Sequence, residues 1–520
     1  MRKLMIRGHE YASVSVQSGN SEPERYAAGE LTAYLEKTGI GTAGGADITV
    51  CVDSSLPRDS VSIRITEDNG LSLSGGNGRG VIYSVYTFLE RYAGMRFFMP
   101  GLETTGEGDI VIDGDYEFSP VFEMRQSDWH CGNDSVEWRL KNRINRPEPP
   151  KDLGGGFSYG GFVHTIGGLT GTPADKQPCL SDPGNLKKAI AGVREILKKD
   201  PTLSIVSVSQ NDNQNYCTCA KCAAVDGEEQ SRAGTLLRFV NAVAADIAQD
   251  YPDVVIDTLA YQYTRKAPKI TKPLPNVCIR LCSIECCFSH PLSDTSCPEN
   301  RAFYNDIVEW SKICDRIYIW DYVTDFCFYV PTFPNFGVLR ENMRFFAEHG
   351  VRGMYPEGNY NSPQSGEFGE LRCYLLAKLM WDPMMETTEY CRHMDEFLAA
   401  YYGEGWRYIR AYIDWTVGQS KRDHMNIWKK PFEIIPRDRY EAMEKTIGSW
   451  WDEAERLAGD RLDAVKRSRL QWECIRLCLH PDEDGAKAFL SGIKENRIMW
   501  REWNAEPQKC DLAGSPAYWE

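Results

Sequence analysis

Between about residue 120 and residue 385, short apolar runs alternate with helical stretches, and each run ends in an acid, a histidine or an aromatic. VFEMRQSDW carries Arg125 and Asp128, GFVHT ends near His164, PCLSD in Asp182 and LSIVSVSQND in Asp212. VVIDTLAYQY brings Tyr261 and Tyr263, NVCIRLCSIE ends in Glu285, RIYIWDY in Trp320, Asp321 and Tyr322, and VRGMYPEG in Glu357. Strand-length runs separated by helices are the order of a closed parallel barrel, in which the loops after the strands build the site. The reading is therefore an α/β protein with a (β/α)8 TIM-like barrel of eight runs, its tips rich in carboxylates and aromatics.

The flanks have a different character. Over residues 1–118, ERYAAGELTAYLEKTG and GRGVIYSVYTFLERYAG show helical spacing, while ADITVCVDS and SVSIRITEDNGLSLSGG read as strands around an Asn-Gly turn. That predicts a small α/β sandwich before a barrel over 119–385. Beyond Asp382-Pro383 only helical periodicity recurs, so 386–520 is predicted to be a helical region. Gly75-Gly76-Asn77-Gly78-Arg79-Gly80 lacks the phosphate-loop spacing and reads as a tight turn, and no cofactor is expected.

A net charge of −15 argues against nucleic acid or an anionic membrane as partner, since both require clustered Lys and Arg. No apolar run is long enough to span a bilayer, and the N-terminus lacks the apolar stretch of a signal peptide, so a cytoplasmic location is expected. Whether the chain self-associates stays open. With 18 cysteines in so large a chain, reduced buried thiols are the expectation. Cys217, Cys219 and Cys222 are close enough to share a zinc ion, but a structural site needs four ligands and no fourth is evident nearby. They are expected to be metal-free.

The ordered motifs SVSQNDNQNYCTCAKC, TLAYQYTRKAP, RLCSIEC, IWDY, PTFPNF, GEFGELRCYLLAKLMWDP and EFLAAYYG resemble the family known as domain of unknown function 4838. The characterised branch of that family is glycoside hydrolase family 163, endo-β-N-acetylglucosaminidases acting on complex N-glycans. AAGELTAYLEKTGI and LSLSGGNGRGVIYSVYTFLERYAGMRFFMPGLE resemble the small domain that precedes the barrel in hexosaminidases and α-glucuronidases. The resemblance implies a glycosidase acting on β-linked N-acetylglucosamine in an oligosaccharide.

Such hydrolysis needs a proton donor for the leaving oxygen and a group that stabilises positive charge at the anomeric carbon. A 2-acetamido sugar can supply its own carbonyl as nucleophile, leaving the protein to orient the amide. Glu285, between Ile284 and Cys286, is expected to be desolvated and to act as acid/base, with Asp212 as the orienting carboxylate. On sequence the roles of Glu285 and Asp212 are interchangeable. Arg125, Asp128, His164, Asn211, Asp321 and Glu357 are the expected hydroxyl ligands, with Asp321 or Glu357 alternatively the second catalytic group if the protein supplies the nucleophile. Tyr261, Tyr263, Trp320 and Tyr322 are the expected stacking platform, the two tyrosines facing the same way because they lie two apart on a strand. An α-glucuronidase-like activity, with Arg125 or Arg265 clamping a uronate, and a silent carbohydrate-binding protein are the rival readings.

Overall fold

The computed structural model describes residues 2–503; the last stretch of the predicted C-terminal helical region, 504–520, lies outside the described residues. Its centre is a curled, fully parallel seven-stranded sheet. In chain order the strands are β1 (Met124–Arg125), β2 (Tyr159–Gly160), β3 (Ile205–Ser207), β4 (Val255–Ala260), β5 (Val277–Cys282), β6 (Ile317–Tyr322) and β7 (Val351–Glu357). Their order across the sheet is β1-β7-β6-β5-β4-β3-β2, so sequential strands are neighbours and the seam falls between β1 and β2.

The expectation of eight barrel strands is corrected at PCLSD. Pro178 and Pro183 bracket that run, and the Asp182 side chain accepts from the Gly184 backbone N–H at 2.8 Å, which caps the helix Pro183–Lys199. Capping and proline win over strand pairing there. The seam edge of β1 is covered by the Asn145–Arg146 segment, whose backbone N–H groups both donate to the Arg125 carbonyl at 3.2 Å.

The sheet, the helices around it and the C-terminal helices share one continuous core. Phe368 of the barrel side stacks on Trp451 of the helix Arg437–Leu457 at 6.4 Å between ring centres. Residues before about 120 build a second core around a five-stranded sheet flanked by the helices Glu22–Lys37 and Gly78–Arg91. No helix among the described residues is long and apolar enough to cross a membrane.

The N-terminal unit and the barrel meet at a buried charge cluster. Asp59 pairs with Arg79 at 2.8 Å and with Arg125 of β1 at 2.9 Å, and Asn145 donates to it at 3.2 Å. Burial would raise the Asp59 carboxyl, but Arg79 and Arg125 outweigh that and hold it below its ordinary range. Arg125, with the Tyr83 and Trp381 rings beside its guanidinium, is thereby committed to the junction. Removing one member of a buried ion cluster leaves uncompensated charge, at a cost of about 3–5 kcal/mol. Asp59→Ala is therefore expected to lower the urea midpoint by that amount of stability, whereas Ala substitution at the exposed ion pair Lys312–Glu309 should barely move it.

Candidate active site

A cavity of about 610 Å³ opens at the ends of the barrel strands where β3 to β7 finish. Of the residues singled out from sequence, His164, Asp212, Tyr261, Glu285, Trp320, Tyr322 and Glu357 line it. Trp320 and Tyr322, two apart on β6, project into it together and lie nearly parallel, 24° between ring planes. Beside them the Trp320 indole Nε1–H donates to Glu357 Oε2 at 2.7 Å. Asp212 sits on the loop after β3, exposed, and accepts from the Tyr261 hydroxyl at 3.1 Å. His164, held at φ 54°, has Nδ1 at 2.7 Å from the Gln210 carbonyl, so Nδ1–H donates there and Nε2 is free of that bond.

Five expected residues lie elsewhere, each for a visible reason. Arg125 is locked to Asp59 at the junction with the N-terminal unit, outside the cavity lining. Asn211 is buried and ties two loops together through Gly167 N–H, Lys176 and Pro173. Asp321 points to the opposite face of β6 from Trp320 and Tyr322, where Ser283 Oγ donates to it at 2.6 Å. Burial pushes its carboxyl up to about 6, with the Ser283 bond opposing. Tyr263 does not share a face with Tyr261, because β4 ends at Ala260 and a 3₁₀ turn over Gln262–Thr264 breaks the two-residue alternation. It packs on Tyr216, 5.0 Å away, instead. Asp128 stands behind Glu357, outside the cavity lining.

Glu285 departs from expectation in environment rather than position. Its side chain is 42% exposed and paired with Arg265 at 2.8 Å. The flanking Ile284 and Cys286 do not desolvate it, because Glu285 follows β5 on an open loop. The desolvated acid is Glu357: burial, then the nearby Asp128 charge, pushes its carboxyl well above the usual range, against the Trp320 bond. Asp128, hydrogen-bonded by Tyr355 and by Gly358 N–H, is itself pushed up to about 7 by burial.

Several lining residues were not anticipated. Phe326, Ile427 and Trp428 close one side, and Tyr360, Glu502 and Trp503 form part of the rim. Tyr360, Trp428 and Trp503 are exposed, at 44%, 44% and 66%. Glu502 reaches the rim because its backbone N–H bonds the Phe326 carbonyl at 3.1 Å, and the Asn361 amide donates to its carbonyl at 2.6 Å. Burial, with the nearby Asp212 charge adding to it, raises the Glu502 carboxyl. No Lys or Arg lines the cavity among the described residues.

The ground for expecting a metal-free cysteine turn also changes. Cys179, from PCLSD, joins Cys217, Cys219 and Cys222, with all four sulfurs within 4.8 Å of one another. Cys287, His290, Cys297 and His424 form a second such group.

Residues 168–414 match the family model described as a domain of unknown function, DUF4838. No curated protein matches the chain significantly. Among solved structures, BtGH115A, a GH115 4-O-methyl-α-glucuronidase with specificity for decorated arabinogalactans, superposes with a TM-score of 0.57 at 11% identity over 97% of this chain and 79% of its own. A GH138 enzyme targeting pectin rhamnogalacturonan II gives 0.50 at 10% identity over 93% and 72%. A β-N-acetylhexosaminidase of Bacteroides fragilis reaches 0.44 at 11% identity over 75% and 90%, too loose to bear on fold or function. At such identities the first two likenesses establish a shared fold.

Asp128 gives a test of the site's electrostatics. Its folded value of about 7 lies above the value of about 3.9 expected unfolded, so stability contributed by its neutral form is present below pH 4 and lost as pH rises to 7. Asp128→Asn should flatten that part of the stability profile, read as Tm between pH 4 and pH 8. An unchanged slope would place the titrating group elsewhere.

Proposed function

We propose that the protein is a glycoside hydrolase that cleaves β-linked N-acetylglucosamine in oligosaccharides. The observation that carries the reading is Glu357, a carboxyl whose ionisation burial opposes, fixed by an indole N–H beside an aromatic platform and sharing one cavity with the exposed Asp212. Trp320 and Tyr322 offer faces on which a pyranose ring stacks, and Tyr360, Trp428 and Trp503 extend that surface outward, as an oligosaccharide requires. The resemblance to the 4838 family and the fold shared with two glycoside hydrolases support the same class.

In this mechanism Glu357 donates its proton to the glycosidic oxygen as the bond to the anomeric carbon breaks. The 2-acetamido carbonyl oxygen attacks that carbon, giving an oxazolinium ion. Asp212, oriented by Tyr261, accepts the amide N–H and offsets the developing charge. Water then adds at the anomeric carbon while the Glu357 carboxylate takes its proton, which restores both sugar and enzyme. The role expected of Glu285 thus passes to Glu357, and Glu285, paired with an Arg265 that lies outside the lining, becomes part of the rim. An α-glucuronidase activity is disfavoured, because a uronate would enter a cavity that presents Asp212, Glu285, Glu357 and Glu502 and, among the described residues, no cation. Arg265, the remaining clamp candidate, is held by Glu285 and Asp306.

Glu357→Gln should lower kcat on an unactivated β-N-acetylglucosaminide by about 10²–10⁴-fold while hurting an aryl glycoside with a good leaving group much less. A fully active, folded Glu357→Gln enzyme alongside an inactive Glu285→Gln enzyme would return the acid role to Glu285. Hydrolysis of an aryl α-glucuronide but not of the β-N-acetylglucosaminide would overturn the substrate class.

The pH profile supplies a second check. Acid catalysis fails as pH rises through the value of Glu357, and the Asp128 charge is one of the things holding that value up. Asp128→Asn should therefore move the alkaline limb of kcat/KM to lower pH.

A further inference from the structure

We infer that the chain binds two structural zinc ions, one in the four-cysteine cluster and one in the Cys287/His290/Cys297/His424 cluster, and that each anchors a loop forming the cavity wall. The inference does not rest on the reaction proposed above.

The first cluster has the dimensions of a metal site. A zinc–sulfur bond of about 2.3 Å puts the sulfurs of a regular tetrahedron about 3.8 Å apart. Cys179 Sγ lies 3.7 Å from Cys219 Sγ and 3.8 Å from Cys222 Sγ. These separations are far longer than a disulfide bond of about 2.05 Å. Soft thiolates in a closed set of four select zinc among the common divalent ions. Cys219 caps the helix Ala220–Glu229 and Cys222 lies in its first turn, where the positive end of the helix favours thiolate. Ligands from the loop 173–182 and from the segment 211–222, which runs into that helix, would be joined by the ion.

The rest of the contact between these loops is a polar zipper. Gln177 donates to the carbonyls of Asn211 and Asn213 at 2.7 and 2.9 Å, and Asn213 and Asn215 return bonds of 2.7 Å to Ala174 and Asp175. Asp212 lies inside this zipper. Hydrogen bonds between two loops are easily exchanged for water, so a metal at the base of the zipper would supply the rigidity that the position of Asp212 in the cavity needs.

The second cluster is carried by its own geometry. Cys287 Sγ is 3.3 Å from His290 Nδ1, and Cys297 Sγ is 3.5 Å from His424 Nδ1. Sulfur and nitrogen on a tetrahedral zinc lie about 3.6 Å apart. His290 presents Nε2 to the Lys421 carbonyl at 3.1 Å, the outer bond that fixes a ligating imidazole through its other nitrogen. The Met425 backbone N–H points at Cys287 Sγ at 3.4 Å, as it would toward a thiolate. Glu299, 3.1 Å from His424 Nδ1, is the competing partner of that ring. This cluster ties the loop that follows Glu285 to the segment leading into Ile427 and Trp428, two cavity-lining residues.

The test begins with the wild-type protein purified without added metal. Elemental analysis after dialysis is expected to give about two zinc ions per chain. A strong chelator should lower Tm, and added zinc but not magnesium should restore it. Cys219→Ser and His424→Gln, both at exposed ligands, should each lose one ion, and the pair together both. Cobalt(II) reconstituted into His424→Gln should show thiolate-to-cobalt charge transfer and tetrahedral ligand-field bands. A folded wild-type protein without zinc, whose Tm ignores both chelator and zinc, overturns the inference. Iron in place of zinc, or a disulfide between Cys179 and Cys219, overturns it for the first cluster. A variant that keeps full zinc content refutes the cluster in which it lies.

Discussion

An ion pair inside the barrel supports everything above it. Arg280 on β5 meets Asp257 on β4, with Nε 2.9 Å from Oδ2 and Nη2 on the same oxygen. Both side chains are cut off from water, and the Arg280 guanidinium also donates to the Phe162 carbonyl at 2.7 Å. Its face lies 4.4 Å from the Phe162 ring centre and 5.5 Å from that of Trp320. A buried pair of this kind adds little stability by itself, but its geometry is tightly constrained because either charge alone would be costly. It thereby sets where Trp320 stands. Trp320 in turn bonds Glu357, so the buried Glu357 carboxyl is tied through two steps to a charge pair that never meets the cavity.

Phe162 gives the pair a further role. Among the described residues β1 and β2 do not pair with each other; the backbone of Asn145–Arg146 bonds the edge of β1, and side chains pack across the rest of the seam. Arg146 lies over the Tyr159 ring at 4.4 Å and the Phe162 ring at 5.0 Å, while its Nη1 bonds the Phe157 carbonyl at 3.0 Å. Arg280 reaches the same aromatic pair from inside. Cations stacked on rings thus pack the seam where regular strand pairing stops.

The chain order of strands and helices was legible because β3 to β6 are buried along their whole length and so leave mostly apolar runs. PCLSD misled because four or five residues are too few to separate a strand from a capped turn. Within a strand, two-residue periodicity sets which residues share a face: Trp320 and Tyr322 lie on one side of β6 and Asp321 on the other, whereas Tyr261 and Tyr263 lose that relation because β4 ends before them. Glu285 was misjudged because apolar neighbours in sequence are not neighbours in space once the strand has ended. Glu502, Trp503 and Trp428 had no sequence signal at all, since long-range packing alone brings them to the rim. Cys179 was hidden for the same reason, 38 positions before Cys217.

The rim has a temporal side. Met499 N–H bonds Ser362 Oγ at 2.9 Å, the Trp500 carbonyl accepts from Tyr329, and Glu502 and Trp503 follow directly. Residues that form the floor of the cavity, from His164 to Glu357, are made well before them. During synthesis from the N-terminus the pocket therefore exists first as an open dish, and it gains its upper wall only when the segment around residue 500 has left the ribosome and folded back. An interrupted chain would keep Glu357, Trp320 and Tyr322 in the dish while lacking the edge that Glu502 and Trp503 give it.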